Sequence, residues 1–339
     1  MMSISMNSHT TGKQTPFVSM QILRVFACFG VFLCHFAQRT HIGGMVGRAF
    51  AFQMYCVQMF LMISGFFAAK SLSHNNPDWR LYYKKRFIRI APLYYSVILW
   101  FFISENLLNL FIHQIPPDEY HLGWLRYIFL LNGFVNSDSY FWSNLGATWT
   151  IPVFAFFYLI APFVCKHLKG YKSAFCFWLL SYILFHFISK LYSCTIVDNL
   201  SYAFLGIACY YAFRDSMGPQ ICILLQTFSI ALLVLYDKPL DASLLLFGSI
   251  VILCALSDGH AQKLSPRLKR IISVLDEHSF TLYLVHCLVL ISFVDRMKSS
   301  SNILRGIVAI AGTAIGTFAV HRYVEKPLQR MLSKALLCK

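Results

Sequence analysis

Charged side chains are scarce in this chain: Asp, Glu, Lys and Arg make up 13% of 339 residues, against 58% hydrophobic and 17% aromatic. A water-facing surface for a chain of this length cannot be assembled from what remains, which excludes a soluble globular fold. Acidic groups are the scarcer sign, 14 against 29 Lys and Arg, for a net charge of +15. The cations gather in short stretches between apolar runs and are not spread along one folded face, so no nucleic-acid partner is expected. The chain has no Cys-x-x-Cys pair. Most of its eleven cysteines lie inside apolar runs, where they read as small fillers and not as a disulfide scaffold or zinc site. No metal and no permanently bound cofactor is expected. There is no repeat of fixed period, and no low-complexity tract beyond the polar, Ser- and Thr-rich residues 1–16. No small-residue cleavage pattern follows that tail, so the next apolar run is expected to be a retained span.

What the chain does have is apolar runs of helix length. Ten spans are expected, near 17–38, 50–70, 88–111, 147–165, 171–190, 198–213, 219–236, 240–257, 276–295 and 302–323. A shorter segment, Leu122 to Val135, contains Arg126 and Asn132 and is expected to be a re-entrant or interfacial helix. The fold class is therefore all-α, a polytopic membrane bundle over 17–330 with polar tails at 1–16 and 331–339. Most basic clusters fall on one side if both termini are cytoplasmic. The long stretch from Ile112 to Ala147 then lies outside, as a lid, an acceptor surface or an ordinary solvated loop.

Polar groups inside the spans call for a reason, because a charge at membrane depth is costly. Arg24 and His35 lie eleven positions apart in the first span, three turns and about 16 Å along one helical face. Snorkelling to opposite headgroup layers is the bland alternative. At the entrance of the third span, Arg86 and Arg89 share a face that suits a phosphate or pyrophosphate, beside Lys84 and Lys85. A positive-inside anchor explains the same cluster. Ser64, Trp149, Tyr283, His286 and Glu325 complete the set of candidates, with Glu325 expected to pair with Lys326 or an inner arginine.

In order along the chain, these elements resemble the acyltransferase 3 family of bacterial membrane-bound O-acyltransferases. The matching elements are Arg24 and His35; Phe60 to Phe67; and Arg86-x-x-Arg89 followed by Pro92 and Tyr94. Further on come Trp149-Thr150-Ile151 leading to Phe157 through Pro162, then Leu282 to His286, then Tyr323 to Pro327. The resemblance implies acyl transfer, acetyl by family frequency, from acyl-CoA to a hydroxyl of a cell-surface or lipid-linked sugar at the bacterial inner membrane. It makes His35 the catalytic candidate and the Arg-x-x-Arg a donor-binding element. One departure is visible: many members carry a Glu shortly after the Trp-Ser/Thr-Leu phrase, where this chain has Phe154 and Ala155.

On this reading His35 accepts the proton of the attacking hydroxyl, and Arg24 stabilises donor charge or the oxyanion. An acyl-enzyme on His35 or Ser64 is the covalent alternative. A transporter or flippase of a lipid-linked glycan uses similar intramembrane cations but calls for inverted repeats that the sequence lacks. A non-catalytic assembly partner has no need to keep these polar residues together.

Overall fold

In lipid the backbone has no water to bond, so a spanning segment must satisfy its own N–H and C=O groups, which a helix does. The computed structural model describes residues 17–40, 42–74, 76–112, 125–134, 148–236, 239–294, 297 and 300–337. Among them there is no strand. The helices are α1 (Val18–Thr40), α2 (Gly44–Phe52), α3 (Cys56–Leu72), α4 (Trp79–Ile112), α5 (Thr150–His167), α6 (Tyr171–Leu191) and α7 (Thr195–Arg214). They continue with α8 (Gly218–Tyr236), α9 (Pro239–Leu256), α10 (Asp258–Ala261), α11 (Pro266–Val289), α12 (Asn302–Val320) and α13 (Lys326–Leu337). Each of the ten expected spans coincides with a helix. Eight helical stretches are long and apolar enough to cross a membrane. The other two expected spans are α9, which is short, and α11, whose first turns carry Arg267, Lys269, Arg270, Asp276 and Glu277. The protein is thus an all-α, multi-pass membrane bundle.

Lipid-facing positions are apolar: Leu180, Phe187 and Val234 are 62–73% exposed on α6 and α8. The interior is held by close approach. A Cβ on Gly65 of α3 lies 1.9 Å from the Ala203 carbonyl oxygen of α7, and one on Gly206 lies 2.0 Å from that of Met62. The two glycines therefore make a reciprocal backbone contact of the small-residue kind that packs helices in membranes. This also explains the Ser64-Gly65 pair: the glycine is the crossing point, and Ser64 is left to face a cavity.

The helices α1 and α11 run parallel. Arg24 pairs with Asp276, Cys28 Sγ donates to the Ser279 carbonyl, and His35 stacks on His286, so both numberings rise together. One end of the bundle collects the start of α1, the end of α3, the start of α4 and the α10 to α11 and α12 to α13 connections. Ser19 is tied there to Asp258, and Lys84 to the Leu336 carbonyl. Most of the basic clusters lie at this end, called here the basic end.

The segment 125–134 does not cross the bundle. A single helical turn at 125–128 is followed by left-handed Leu130 (φ 59°) and a 3-10 turn, Leu131–Gly133. Its carbonyl groups are satisfied by side chains: Tyr94 and Tyr95 donate to Tyr127 and Ile128, Thr195 to Gly133, and Tyr192 to Phe134. The described part of the expected re-entrant or interfacial element is thus irregular backbone with no helix long enough to span, and only Tyr127 and Gly133 within it are buried. Residues 113–124 and 135–147, most of the expected outer lid, lie outside the described residues. Gly65→Val should lower the unfolding midpoint in detergent by an amount equivalent to about 2 kcal/mol through overpacking, while Ser64→Ala should leave it unchanged; differential scanning fluorimetry reads both.

Candidate active site

A cavity of about 420 Å³ opens between α1, α3, α4, α5 and α11. Four of its lining residues are Arg or Lys: Arg24, Lys70, Arg86 and Arg89. Among the described residues none of the lining groups is a carboxylate. The wall is therefore positive at these positions, and its remainder is largely apolar (Phe60, Ile63, Phe67 and Phe280 among others).

Arg24 is fixed before any ligand arrives. Its Nη2 lies 2.7 Å from Asp276 Oδ2, which also accepts from Gln21 Nε2 at 3.3 Å, and its guanidinium stands 5.4 Å from the Phe67 ring centre. The Nε of Arg24 is buried with no protein partner among the described residues, and so is Asp276 Oδ1. Arg86 is held differently, against the faces of Tyr158 and Tyr82 at 4.7 and 5.3 Å, which orients its planar fork without consuming a counter-charge. Lys70 lies over Phe17 at 4.2 Å.

Toward the other end of the bundle the cavity is walled by Thr150 and Tyr283, joined by a 3.1 Å bond from Thr150 Oγ1 to the Tyr283 hydroxyl. Beyond Tyr283 lies an imidazole pair. The Tyr283 and His286 rings are 5.9 Å apart, and the His286 and His35 rings are stacked at 5.4 Å. His35 thus stands two rings behind the cavity wall and not in it. Gln38 Oε1 can only accept, so the 3.1 Å contact makes His35 Nδ1 the donor and leaves Nε2 with its lone pair. The same holds for His286, whose Nδ1 donates to the Leu282 carbonyl and whose Nε2 faces Cys287 Sγ at 3.3 Å. In the neutral form of each ring these neighbours fix the tautomer, with Nδ1 protonated and Nε2 carrying the lone pair.

Of the residues singled out in the sequence, the structure brings Arg24, Ser64, Arg86, Arg89 and Tyr283 to one cavity, with His286 and His35 behind it. Trp149 is half-buried at the start of α5, beside the cavity residue Thr150. Lys84 is engaged with the end of α13 and Lys85 is exposed; neither lines the cavity. Glu325 is buried elsewhere, bonded to His321, Thr281 and Gln329, while Lys326 goes to Glu277. Of Phe154 and Ala155, the two positions where the family resemblance leads to the expectation of a Glu, Phe154 lines the cavity. Sequence reasoning missed Lys70, His74, Gln38 and Asp276. Lys70 and His74 sit where the second span ends, a place that reads as an ordinary basic flank, and Asp276 is recognisable only once its partner 252 positions away is known.

The bundle thus encloses a cationic cavity with two stacked imidazoles behind one of its walls. A family model described as an acyltransferase domain, that of acyltransferase 3, matches residues 17–322, and the chain belongs to this family. Neither the curated proteins nor the solved structures compared with it give a match.

Breaking one side of a buried ion pair strands the other charge, so Asp276→Ala should destabilise the fold by about 3–5 kcal/mol. The double replacement Arg24→Met with Asp276→Leu should recover most of that loss, measured by denaturant unfolding in micelles.

Proposed function

We propose that the protein transfers an acyl group from acyl-CoA, entering at the basic end, to a hydroxyl presented from the opposite end, with His35 as general base. The observation that supports this most is the carboxylate-free cationic cavity that runs along α1 and α11 from Arg24 to Tyr283, behind which His286 and His35 are stacked. Arg86 and Arg89 hold donor phosphates with bidentate geometry, helped by Lys70 and by the spare Nε of Arg24. From Arg24 to His35 the axis rises about 16 Å, a distance suited to the coenzyme's extended pantetheine arm. Arg24 therefore belongs to donor binding and not to the reacting carbon.

In the chemical step the acceptor hydroxyl gives its proton to His35 Nε2 as its oxygen adds to the thioester carbon. The tetrahedral intermediate then collapses, the carbon–sulfur bond breaks, and the imidazolium returns the proton to the departing thiolate. Gln38 keeps Nδ1 protonated, so Nε2 is the basic atom throughout. For this path to close, the Tyr283 wall must admit the thioester, by rotation of that ring or of His286.

The positive-inside rule places the basic end in the cytoplasm, where acyl-CoA is found, with both termini on that side. Membership of the family supports acetyl as the acyl group and a surface or lipid-linked sugar as the acceptor, at a bacterial inner membrane. Purified protein in nanodiscs, given labelled acetyl-CoA and a glycan acceptor, tests this. His35→Ala should reduce turnover at least about 100-fold with donor binding retained. Arg86→Ala should raise KM for the donor about tenfold, and Gln38→Ala should lower kcat with little change in KM. Normal turnover by His35→Ala would remove the base from the scheme.

A further inference from the structure

On the flank of α11 turned away from the cavity, Glu277, His278 and His321 each bring one ligand atom within 4.8 Å of the other two. We propose that these three side chains form a binding site for a zinc-class divalent metal, clamping α11 to the joint between α12 and α13. Several independent features point there.

His321 is 3% exposed, and its Nε2 is buried with no hydrogen-bond partner among the described residues. That nitrogen is aimed at Glu277 Oε1, 3.8 Å away. The opposite nitrogen, Nδ1, lies 2.7 Å from the buried carboxylate of Glu325, which also accepts from Thr281 and from Gln329 Nε2 at 3.0 Å. A carboxylate behind one ring nitrogen that leaves the other as a bare lone pair is the usual support for a metal-binding histidine. His278 is prepared in the second common way: its Nδ1 donates to the Val274 carbonyl at 2.7 Å, which leaves Nε2 as the ligand atom. The two rings stand 4.0 Å apart.

Two imidazoles and one carboxylate are a donor set zinc accepts, with a fourth position left for water. In a tetrahedral site with bonds near 2.0 Å, ligand atoms lie about 3.3 Å apart, so closure requires only small side-chain rotations. One group opposes it: Lys326 Nζ holds Glu277 Oε1 at 3.0 Å and must give way. His321 and Glu325 bound a π-helical turn, His321–Glu325, that separates α12 from α13. Such turns are frequent at functional sites, and this one turns His321 and Glu325 inward together. A metal here also ties down α11, the helix that carries Asp276 toward Arg24 and His286 toward His35.

The test is metal content and affinity of the purified, chelator-stripped protein in detergent, titrated with zinc and read by plasma mass spectrometry and by the unfolding midpoint. The wild type should hold one zinc per chain and gain thermal stability from it. His321→Gln and Glu277→Gln should each weaken binding at least about tenfold. Glu277 is half-exposed, so its replacement tests the site without disturbing packing. Lys326→Met should tighten binding by removing the competitor for the carboxylate. A wild type without stoichiometric zinc would overturn the proposal. So would wild-type affinity in Glu277→Gln and His321→Gln, or loss of the metal in His286→Ala, which would place it at the His35, His286 and Cys287 cluster.

Discussion

The ion pair between Arg24 and Asp276 is the constraint on which the rest of the site depends. An arginine within a spanning helix needs a partner at the same depth, and among the described carboxylates the one bonded to it stands on α11. Once that pair sets the register of two parallel helices, the geometry further along is determined. Cys28 meets Ser279, Phe32 packs edge-on against His286, and three turns above Arg24 the His35 ring stacks on His286. The same contact thus fixes a cation near the basic end and an imidazole three turns further along. It orients both without placing a carboxylate in the cavity itself.

The cavity is cationic for a local reason at each position. Arg86 is oriented by tyrosine faces, Lys70 by a phenylalanine, and Arg24 by a carboxylate that is turned to the helix interface. The aromatic supports of Arg86 and Lys70 add no counter-charge, whereas Asp276 offsets the charge of Arg24 without itself lining the cavity. Phe154, aromatic and uncharged, lines the cavity and adds no negative charge to it.

Much of the fold was legible because the bilayer imposes length and apolarity on each helix: every one of the ten apolar runs falls on helical structure, and among the described residues eight stretches are long and apolar enough to span. That 125–134 is no spanning helix was legible from Arg126 and Asn132, and its described residues form only a helical turn and a 3-10 turn. The pairing between helices was less legible, since Asp276 follows a basic, polar stretch that hides its depth, and no local spacing links it to Arg24. Lys84 and Lys85 illustrate the converse. Their position beside Arg86 suggested a shared task, yet successive helical residues point about 100° apart, and Lys84 turns to α13 while Arg86 turns inward. Glu277, His278 and His321 escaped notice for a related reason: two are adjacent, the third lies in another helix, and only the fold joins them.

The proposed transfer requires that opening of the Tyr283 wall join the arginine-lined cavity to His35. A structure determined with coenzyme A bound measures this directly. The account predicts the nucleotide phosphates against Arg86 and Arg89 and the sulfur at the Tyr283 wall, directed toward His286 and His35. Coenzyme bound outside this cavity, or with its sulfur pointing back to the basic end, would contradict it.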